Sequence, residues 1–358
     1  MDLALLQNII LDSNKDYEYY SKYSLGYPLS QNNTLLQINN AGDPYEKSYW
    51  QMTSHNDEKY VVEWFAKLFN IDNPWGYCTT GSSESILCSL WCARKRFPNA
   101  KIYASSDSHF CIRKSADILA IEYVEIESIN GCMNIDLLVS QLQNENIIVF
   151  TMGTTIKGSY DNISDFYNNP KYKKTKNHIH IDAAFGGMIY PFMKPEWLNY
   201  HFDTINISLH KFIGVPIPCS LFLIRNDLKQ EIARGKCAGA YGNEMICIPE
   251  KDFCISCSRS GLSVILVKKY LENFDKNIHI KNIKELLELK DYFIKKIKVL
   301  NPESTDLSLS VVFDLPQKNN ISDIVSKYSL SKHYNKTHIY FCNHVKKELI
   351  DEFIHDII

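Results

Sequence analysis

No run in this 358-residue sequence approaches the roughly 20 apolar residues that a membrane span requires. The first ten residues carry no basic lead, and their short apolar run is broken by Gln7 and Asn8, so no signal peptide is expected. Neither charge dominates. Lys and Arg number 39 against 41 Asp and Glu, a formal net charge of -2, so the basic footprint of a nucleic-acid or anionic-membrane binder is missing. The one CxxC, Cys254 to Cys257, has no second pair to complete a zinc site. Eleven cysteines, an odd number with no framework spacing, read as the reduced thiols of a cytoplasmic protein. There are no internal repeats and no low-complexity tracts. The length suffices for a large domain with an appendage and a core that needs no disulfide or metal.

Hydrophobic spacing supplies what is there. Residues 1–20 carry a helical stripe of Leu3, Leu6, Ile9 and Ile10, and residues 56–69 another of Val61, Val62, Phe65, Ala66 and Phe69. Between them Gly26, Pro28, Gly42 and Pro44 punctuate an extended arm. Short strands are expected at 101–104, 121–126, 147–152, 178–182, 204–208 and 219–224, with helical pieces near 111–119 and 134–143. This alternation predicts an α/β sheet with helices on both faces. Residues 160–177 read as a solvated loop, and 262–298 as two helices broken near 274–280. The last 55 residues read strand (308–313), helix (321–328), strand (338–342), helix (345–357), a small C-terminal α+β unit.

Ligands of such sheets bind at the carboxyl ends of strands. Lys211 follows the strand at 204–208, beside His210 and ahead of a Gly/Pro turn, and Asp182 ends the strand at 178–182. A lysine able to form an imine and an aspartate able to hold a ring nitrogen protonated are the two protein groups that pyridoxal phosphate requires. Gly81, Ser82 and Ser83 open a helix, where free N–H groups and the dipole favour an anion; plain N-capping by serine fits equally. His109, after the strand at 101–104, suits stacking on a ring, or solvent. Thr154 suits the ring's oxygen or a substrate carboxylate, or the capping of a turn. Ala184 is small enough to lie beneath a ring, and Ser208 adds a phosphate contact.

These residues carry a resemblance. Asn39-Asn40-Ala41-Gly42-Asp43-Pro44, Ser54-His55, Trp75-Gly76-Tyr77, Gly81 with Glu84, Asp107-Ser108-His109, Gly153-Thr154-Thr155, Asp182-Ala183-Ala184, His210-Lys211-Phe212-Ile213-Gly214, Pro216-Ile217-Pro218-Cys219 and Ser258-Arg259 span about residues 35–345. Together they resemble the group II pyridoxal-phosphate-dependent amino-acid decarboxylases. The Pro-Ile-Pro-Cys run favours the bacterial histidine decarboxylase branch, which includes serine-decarboxylase-like proteins.

The resemblance implies fold type I, with a mostly parallel seven-stranded sheet, a small C-terminal domain and an obligate homodimer. It implies an N-terminal arm over 1–50, a cofactor domain over 51–275 and a connecting helix with the small domain over 276–358. Lys211 would carry the cofactor imine, Asp182 would pair with the pyridine nitrogen, and His109 would stack on the ring. Gly81, Ser82, Ser83, Ser208 and His210 would surround the phosphate. Asn40, Asp43 and His55 would approach the substrate, or serve only to dock the arm. The implied reaction is α-decarboxylation, with L-histidine giving histamine as first choice. His109, Lys211 and Ser308 are the candidates for returning a proton to Cα.

Departures from the family pattern are Ser82-Ser83 for Gly-Thr, Leu209 for Gly, Phe185-Gly186-Gly187 for Leu-Ser-Gly, and Ser260 for Asn. The mobile tyrosine loop of the animal aromatic-amino-acid decarboxylases has no equivalent here. A decarboxylase for another amino acid such as serine, another carbon–carbon lyase or an aminotransferase of the same cofactor, and a non-catalytic binding subunit are the competing readings.

Overall fold

Seven short alternating runs pair into one sheet in the computed structural model, which describes residues 3–17, 19, 22, 37–48, 50–234 and 253–358. They are β1 (Pro74–Thr79), β2 (Lys101–Ser105), β3 (Tyr123–Ile126), β4 (Glu145–Thr151), β5 (Lys176–Asp182), β6 (Thr204–Ser208) and β7 (Ser220–Arg225). Their spatial order is β1-β7-β6-β5-β4-β2-β3. Only β7 runs against its neighbours; the other pairs are parallel. The expected α/β class and mostly parallel seven-stranded sheet are what is observed. The six strands expected from spacing are all present.

The seventh, β1, hides behind Pro74 and Gly76, which read as punctuation. Proline is tolerated as the first residue of an edge strand. Gly76 is required by packing, because a Cβ there would meet the Phe222 carbonyl oxygen at 2.3 Å.

Successive residues of a strand face opposite sides, and the two sides of this sheet differ. One face is apolar throughout, with Ile148, Phe150, Ile179, Ile181, Ile205, Ile207, Leu221 and Leu223 in the largest cluster. The other carries two separate apolar patches, one around Ile102, Ala104, Ile147 and Val149 and one around Trp75, Tyr77, Phe222 and Ile224. Between them β5 and β6 present His178, His180, Asp182, Thr204, Asn206 and Ser208, all buried.

Helix α3 (Ser82–Arg96) crosses that face and matches it. Its Ile86, Leu90 and Ala93 join the first patch, and Cys88 and Cys92 the second. Ser82, Ser85 and Ser89 lie over the polar stripe, where a buried hydroxyl is tolerated only when hydrogen-bonded.

Helices α1 (Leu3–Ser13), α2 (His55–Leu68), α4 (Cys111–Ile118) and α5 (Ile135–Gln141) fall close to expectation. Gly26 and Pro28 lie outside the described residues. The segment 160–177 is not all loop: it holds α6 (Ile163–Asn168), whose Ile163 and Phe166 are buried. Helix α7 (Asn226–Arg234), unseen in the sequence, buries Leu228 and Ile232. The break near 274–280 is real: α8 (Gly261–Glu272) ends, and Asp275 caps α9 (Lys276–Lys296) by accepting the Asn277 and Ile278 N–H groups.

The C-terminal unit contains one strand more than expected. Strand β8 (Ser310–Asp314), helix α10 (Ile321–Lys327), β9 (Ser331–His333), β10 (Lys336–Tyr340) and helix α11 (Lys347–Ile357) follow in order, with sheet order β8-β10-β9. Among the described residues no helix is long and apolar enough to cross a membrane, and no group of side chains is arranged to hold a metal. Among the described residues no two cysteines are joined in a disulfide.

Candidate active site

The carboxyl ends of β2, β4, β5 and β6 converge on the start of α3. At the end of β5, Asp182 is buried. Its Oδ1 accepts the Ala184 N–H and the Asn206 Nδ2–H, both at 3.2 Å. Oδ2 takes no hydrogen bond from the described residues. Ala184 is held between strands, its carbonyl accepting the Ser208 N–H at 3.1 Å.

His109, half-buried, lies in the turn between β2 and α4. Its Nδ1 is 2.8 Å from Cys111 Sγ and 3.3 Å from the Cys111 backbone N–H. Burial pushes the Cys111 thiol up to about 12, with Asp182 adding to the rise. The thiol is therefore protonated and donates, Nδ1 accepts, and the imidazole proton resides on Nε2. Burial lowers the His109 pKa, Asp182 opposes that shift and Lys211 adds to it, so the ring is neutral at pH 7. These mutual influences place His109, Cys111, Asp182 and Lys211 in one locality.

Lys211 is exposed on the turn after β6 and makes no ion pair among the described residues. The turn is fixed around it. His210 Nδ1 is 2.7 Å from the Cys219 carbonyl oxygen, Leu209 N–H donates to that same oxygen at 2.9 Å, and Val215 N–H donates to the Leu209 carbonyl.

At the start of α3, Ser82 Oγ lies 2.7 Å from Ser208 Oγ and 2.9 Å from Ser220 Oγ. Ser220 Oγ donates to the Ile207 carbonyl at 2.7 Å, and Ser85 Oγ bonds Thr79 Oγ1 at 2.7 Å. Ser83 lies beside the Cys111 thiol and opposes the rise of its pKa. No side chain caps the helix at Gly81; Glu84 instead reaches back to the Thr80 N–H at 2.9 Å. The first-turn N–H groups of a helix have no intrahelical acceptor. Beside Gly81 a Cβ would meet nothing within 4 Å. Hydroxyls, uncapped N–H groups and open space make a cradle that fits a phosphate, while Asp182 Oδ2 fits a protonated ring nitrogen. The residues present suit pyridoxal phosphate.

Four expected site residues are engaged elsewhere. Thr154 Oγ1 accepts the Ser159 N–H at 3.0 Å and its own N–H donates to Ser159 O, so it caps a turn. Ser308 precedes β8 rather than lying in it; it is fully buried, and its hydroxyl donates to the Lys157 carbonyl at 2.8 Å. That bond tethers the loop at Gly158 and leaves no proton for Cα. Asn40 Nδ2 donates to Glu58 Oε2 at 2.7 Å while its Oδ1 accepts the Ser54 N–H. Asp43 accepts from Trp75 Nε1 at 3.0 Å and from Lys229 Nζ at 2.6 Å. Both dock the arm rather than face a substrate. His55, at the start of α2, is buried, with Nε2 free of any hydrogen bond. Burial, then Arg259 and Lys59, lower its pKa to about 4.

Sequence reasoning passed over Cys111, Asn206, His180 and Ser220. The alternation in His178-Ile-His-Ile-Asp182 and Thr204-Ile-Asn-Ile-Ser208 was the available signal for two of them, His180 and Asn206.

The pyridoxal-dependent decarboxylase conserved domain matches residues 47–307. The chain is 30% identical to a histidine decarboxylase of Vibrio campbellii over 96% of its own length and 93% of the relative's. It is 30% identical to serine decarboxylase 2 of Oryza sativa subsp. japonica, over 95% of its own length and 75% of the relative's. Among solved structures, L-methionine decarboxylase from Streptomyces sp.590 superposes with a TM-score of 0.77 at 18% identity, covering 97% of this chain and 94% of that one. Glutamate decarboxylase from Lactobacillus brevis gives 0.75 at 17% identity, covering 100% and 84%. These structural matches speak to the fold.

Proposed function

The chain belongs to the pyridoxal-dependent decarboxylase family and is a pyridoxal-phosphate-dependent amino-acid decarboxylase; we propose that its substrate is L-histidine and its products histamine and carbon dioxide. The observation that carries this reading is the end-to-end similarity to proteins named histidine decarboxylase. Serine is the second reading, favoured by the equal identity of the rice relative.

Pyridoxal phosphate, when bound, supplies an electron sink for the pair left behind by the departing carboxylate. The residues of this chain have separate tasks. Lys211 would hold the cofactor through its amine and release it to the substrate's amine. Asp182 would keep a proton on the ring nitrogen through Oδ2, a fixed negative charge aimed where positive charge must persist. Ala184 would lie beneath the ring and neutral His109 against its face. His109 or Lys211 would return a proton to Cα. Gly81, Ser82, Ser83, Ser208 and His210 would hold the phosphate. His55, with its uncommitted nitrogen, is the arm-side residue we assign to the substrate.

We assign residues 1–50 to the arm, 51–275 to the cofactor domain and 276–358 to the small domain, in a cytoplasmic homodimer. Phe110, next to His109, is 69% exposed, which supports a second subunit covering that side.

The test measures carbon dioxide release from each of the twenty amino acids by the loaded enzyme, with Lys211→Ala as the blank. Histidine should exceed serine in kcat/KM by at least about tenfold, equivalent to about 1.4 kcal/mol of transition-state discrimination. Faster turnover of serine or another amino acid overturns the substrate assignment. Native-like turnover by Lys211→Ala overturns the site.

A further inference from the structure

The polar stripe between the two apolar patches extends well behind Asp182. In the parallel pairing of β5 with β6, His180 is opposite Thr204 and Asp182 opposite Asn206. The contacts form an unbroken series. Asn206 Nδ2 is 3.2 Å from Asp182 Oδ1, and Asn206 Oδ1 is 2.9 Å from His180 Nε2. His180 Nδ1 is 3.0 Å from Thr204 Oγ1. That oxygen in turn lies 2.6 Å from Ser89 Oγ and 3.3 Å from His178 Nε2. Every member is buried.

The acceptor role of Asp182 Oδ1 fixes the direction of each bond. Oδ1 also accepts the Ala184 N–H, so Asn206 must present its NH₂ to it and its oxygen to His180. His180 must then donate from Nε2, which leaves Nδ1 as an acceptor. Thr204 has one proton, and it goes to Nδ1. Its two lone pairs remain for Ser89 and for His178 Nε2–H, and both are taken. His178 Nδ1 is then a bare acceptor, and it is indeed without a partner. Burial holds both histidines neutral, each lowered to about 4, as this pattern of donors requires. All the donors therefore point towards Asp182, and bonds aligned in this way polarise one another.

We propose that His180 and Asn206 are positioning residues that hold the Asp182 carboxyl in place, with Oδ2 turned to the cofactor's ring nitrogen, through a one-way hydrogen-bond chain begun by Ser89 and Thr204. The chain has no contact with substrate. It acts through Asp182 and rests on the assignment of Asp182 to the ring nitrogen.

The test compares two cofactors on protein freed of its own, by titration of their absorbance. One is pyridoxal phosphate and the other is its 1-deaza analogue, in which C–H replaces the ring nitrogen. Native protein should bind pyridoxal phosphate at least about tenfold more tightly than the analogue, the scale of a hydrogen bond to a charged group. In His180→Phe the preference should collapse to within about threefold. In His180→Gln, whose side-chain N–H can still donate to Asn206, it should be kept. Should His180→Phe fail to fold, Asn206→Leu removes the next bond and should lose the preference equally.

A residue that merely supports the fold would weaken both cofactors alike and leave their ratio intact, and an intact ratio in His180→Phe or Asn206→Leu overturns the chain. Loss of the preference in His180→Gln as completely as in His180→Phe overturns it too. A native protein with no preference refutes the assignment of Asp182 itself, a separate outcome.

Discussion

Glu58→Gln tests the buried node that ties the segment around Asn40 and Gly42 to α2, β1 and Arg259. Glu58 and Arg259 are fully buried and paired. Glu58 Oε1 accepts the Cys78 N–H at 2.7 Å together with an Arg259 Nη1–H, and Oε2 accepts Asn40 Nδ2–H at 2.7 Å. Arg259 also donates to the Cys78 carbonyl at 3.1 Å and the Gly42 carbonyl at 2.6 Å. Burial pushes the Glu58 carboxyl up, while Arg259 and the two further donors pull it back. A guanidinium does not lose its proton, so the pair is ionic.

Glutamine at position 58 replaces one acceptor by an NH₂. Asn40 cannot turn its amide to meet it, because its Oδ1 already accepts from Ser54. A donor then faces a donor, and Arg259 keeps a buried charge with no counterion. Breaking one partner of such a pair costs about 3–5 kcal/mol, a large share of the ~5–15 kcal/mol that separates folded from unfolded chains. Urea unfolding of the loaded protein at fixed concentration measures it. Adding Arg259→Met removes the stranded charge. The double variant should therefore lose at least about 2 kcal/mol less than the sum of the singles. A loss below about 1 kcal/mol for Glu58→Gln, or strict additivity, would refute the reasoning.

Two further outcomes are expected. Burial lowers His178 to about 4, below an unfolded value near 6.5; between those values the unfolded chain binds more protons, so stability falls as pH drops. His178→Leu should flatten that fall by up to about 1.4 kcal/mol per pH unit. Urea midpoints with the native slope would contradict this. Phe110→Asp should raise the dimer dissociation constant at least about tenfold in sedimentation equilibrium, and a native protein that sediments as a monomer would remove the basis for it.

The sequence made the strands legible because each is short, alternating and bounded by polar turns. It concealed β1, where Pro74 and Gly76 suggest a turn until Phe222 is known to lie against the glycine. Helix α6 lies in a polar stretch that read as solvated loop, and α7 has only Leu228 and Ile232 as large apolar residues, too few for a helical stripe to stand out. Lys211, Asp182 and His109 were visible because the chemistry of one cofactor needs those residue types at strand ends. Their supports were less visible for a definite reason. In His178-Ile-His-Ile-Asp182 the isoleucines identify a core face, and the polar half then looks like a solvent face. A strand in the middle of a parallel sheet has no solvent face. Its polar residues must be bonded to one another, and that inference needed the neighbouring Thr204-Ile-Asn-Ile-Ser208 and the register between them.

The same distinction between faces bears on the residues at which this chain leaves the family pattern. Leu209 is fully buried in the largest apolar cluster, on the side of the sheet away from His180 and Asn206. It alters core packing while its backbone still anchors the Lys211 turn. Gly186 is demanded by contact, since a Cβ would meet the Met152 carbonyl oxygen at 2.3 Å. Ser260 caps α8 by accepting the Ser263 N–H. Ser82 and Ser83 place their side chains at the anion cradle, where Ser82 bonds Ser208 and Ser220. None of the four replaces Asp182, His109 or Lys211. The departures thus adjust packing and the anion cradle, so selection among amino acids has to be sought elsewhere. Within the described residues, His55 has the uncommitted nitrogen that such a role needs, and the surface beside Phe110 is where a second subunit would add the rest.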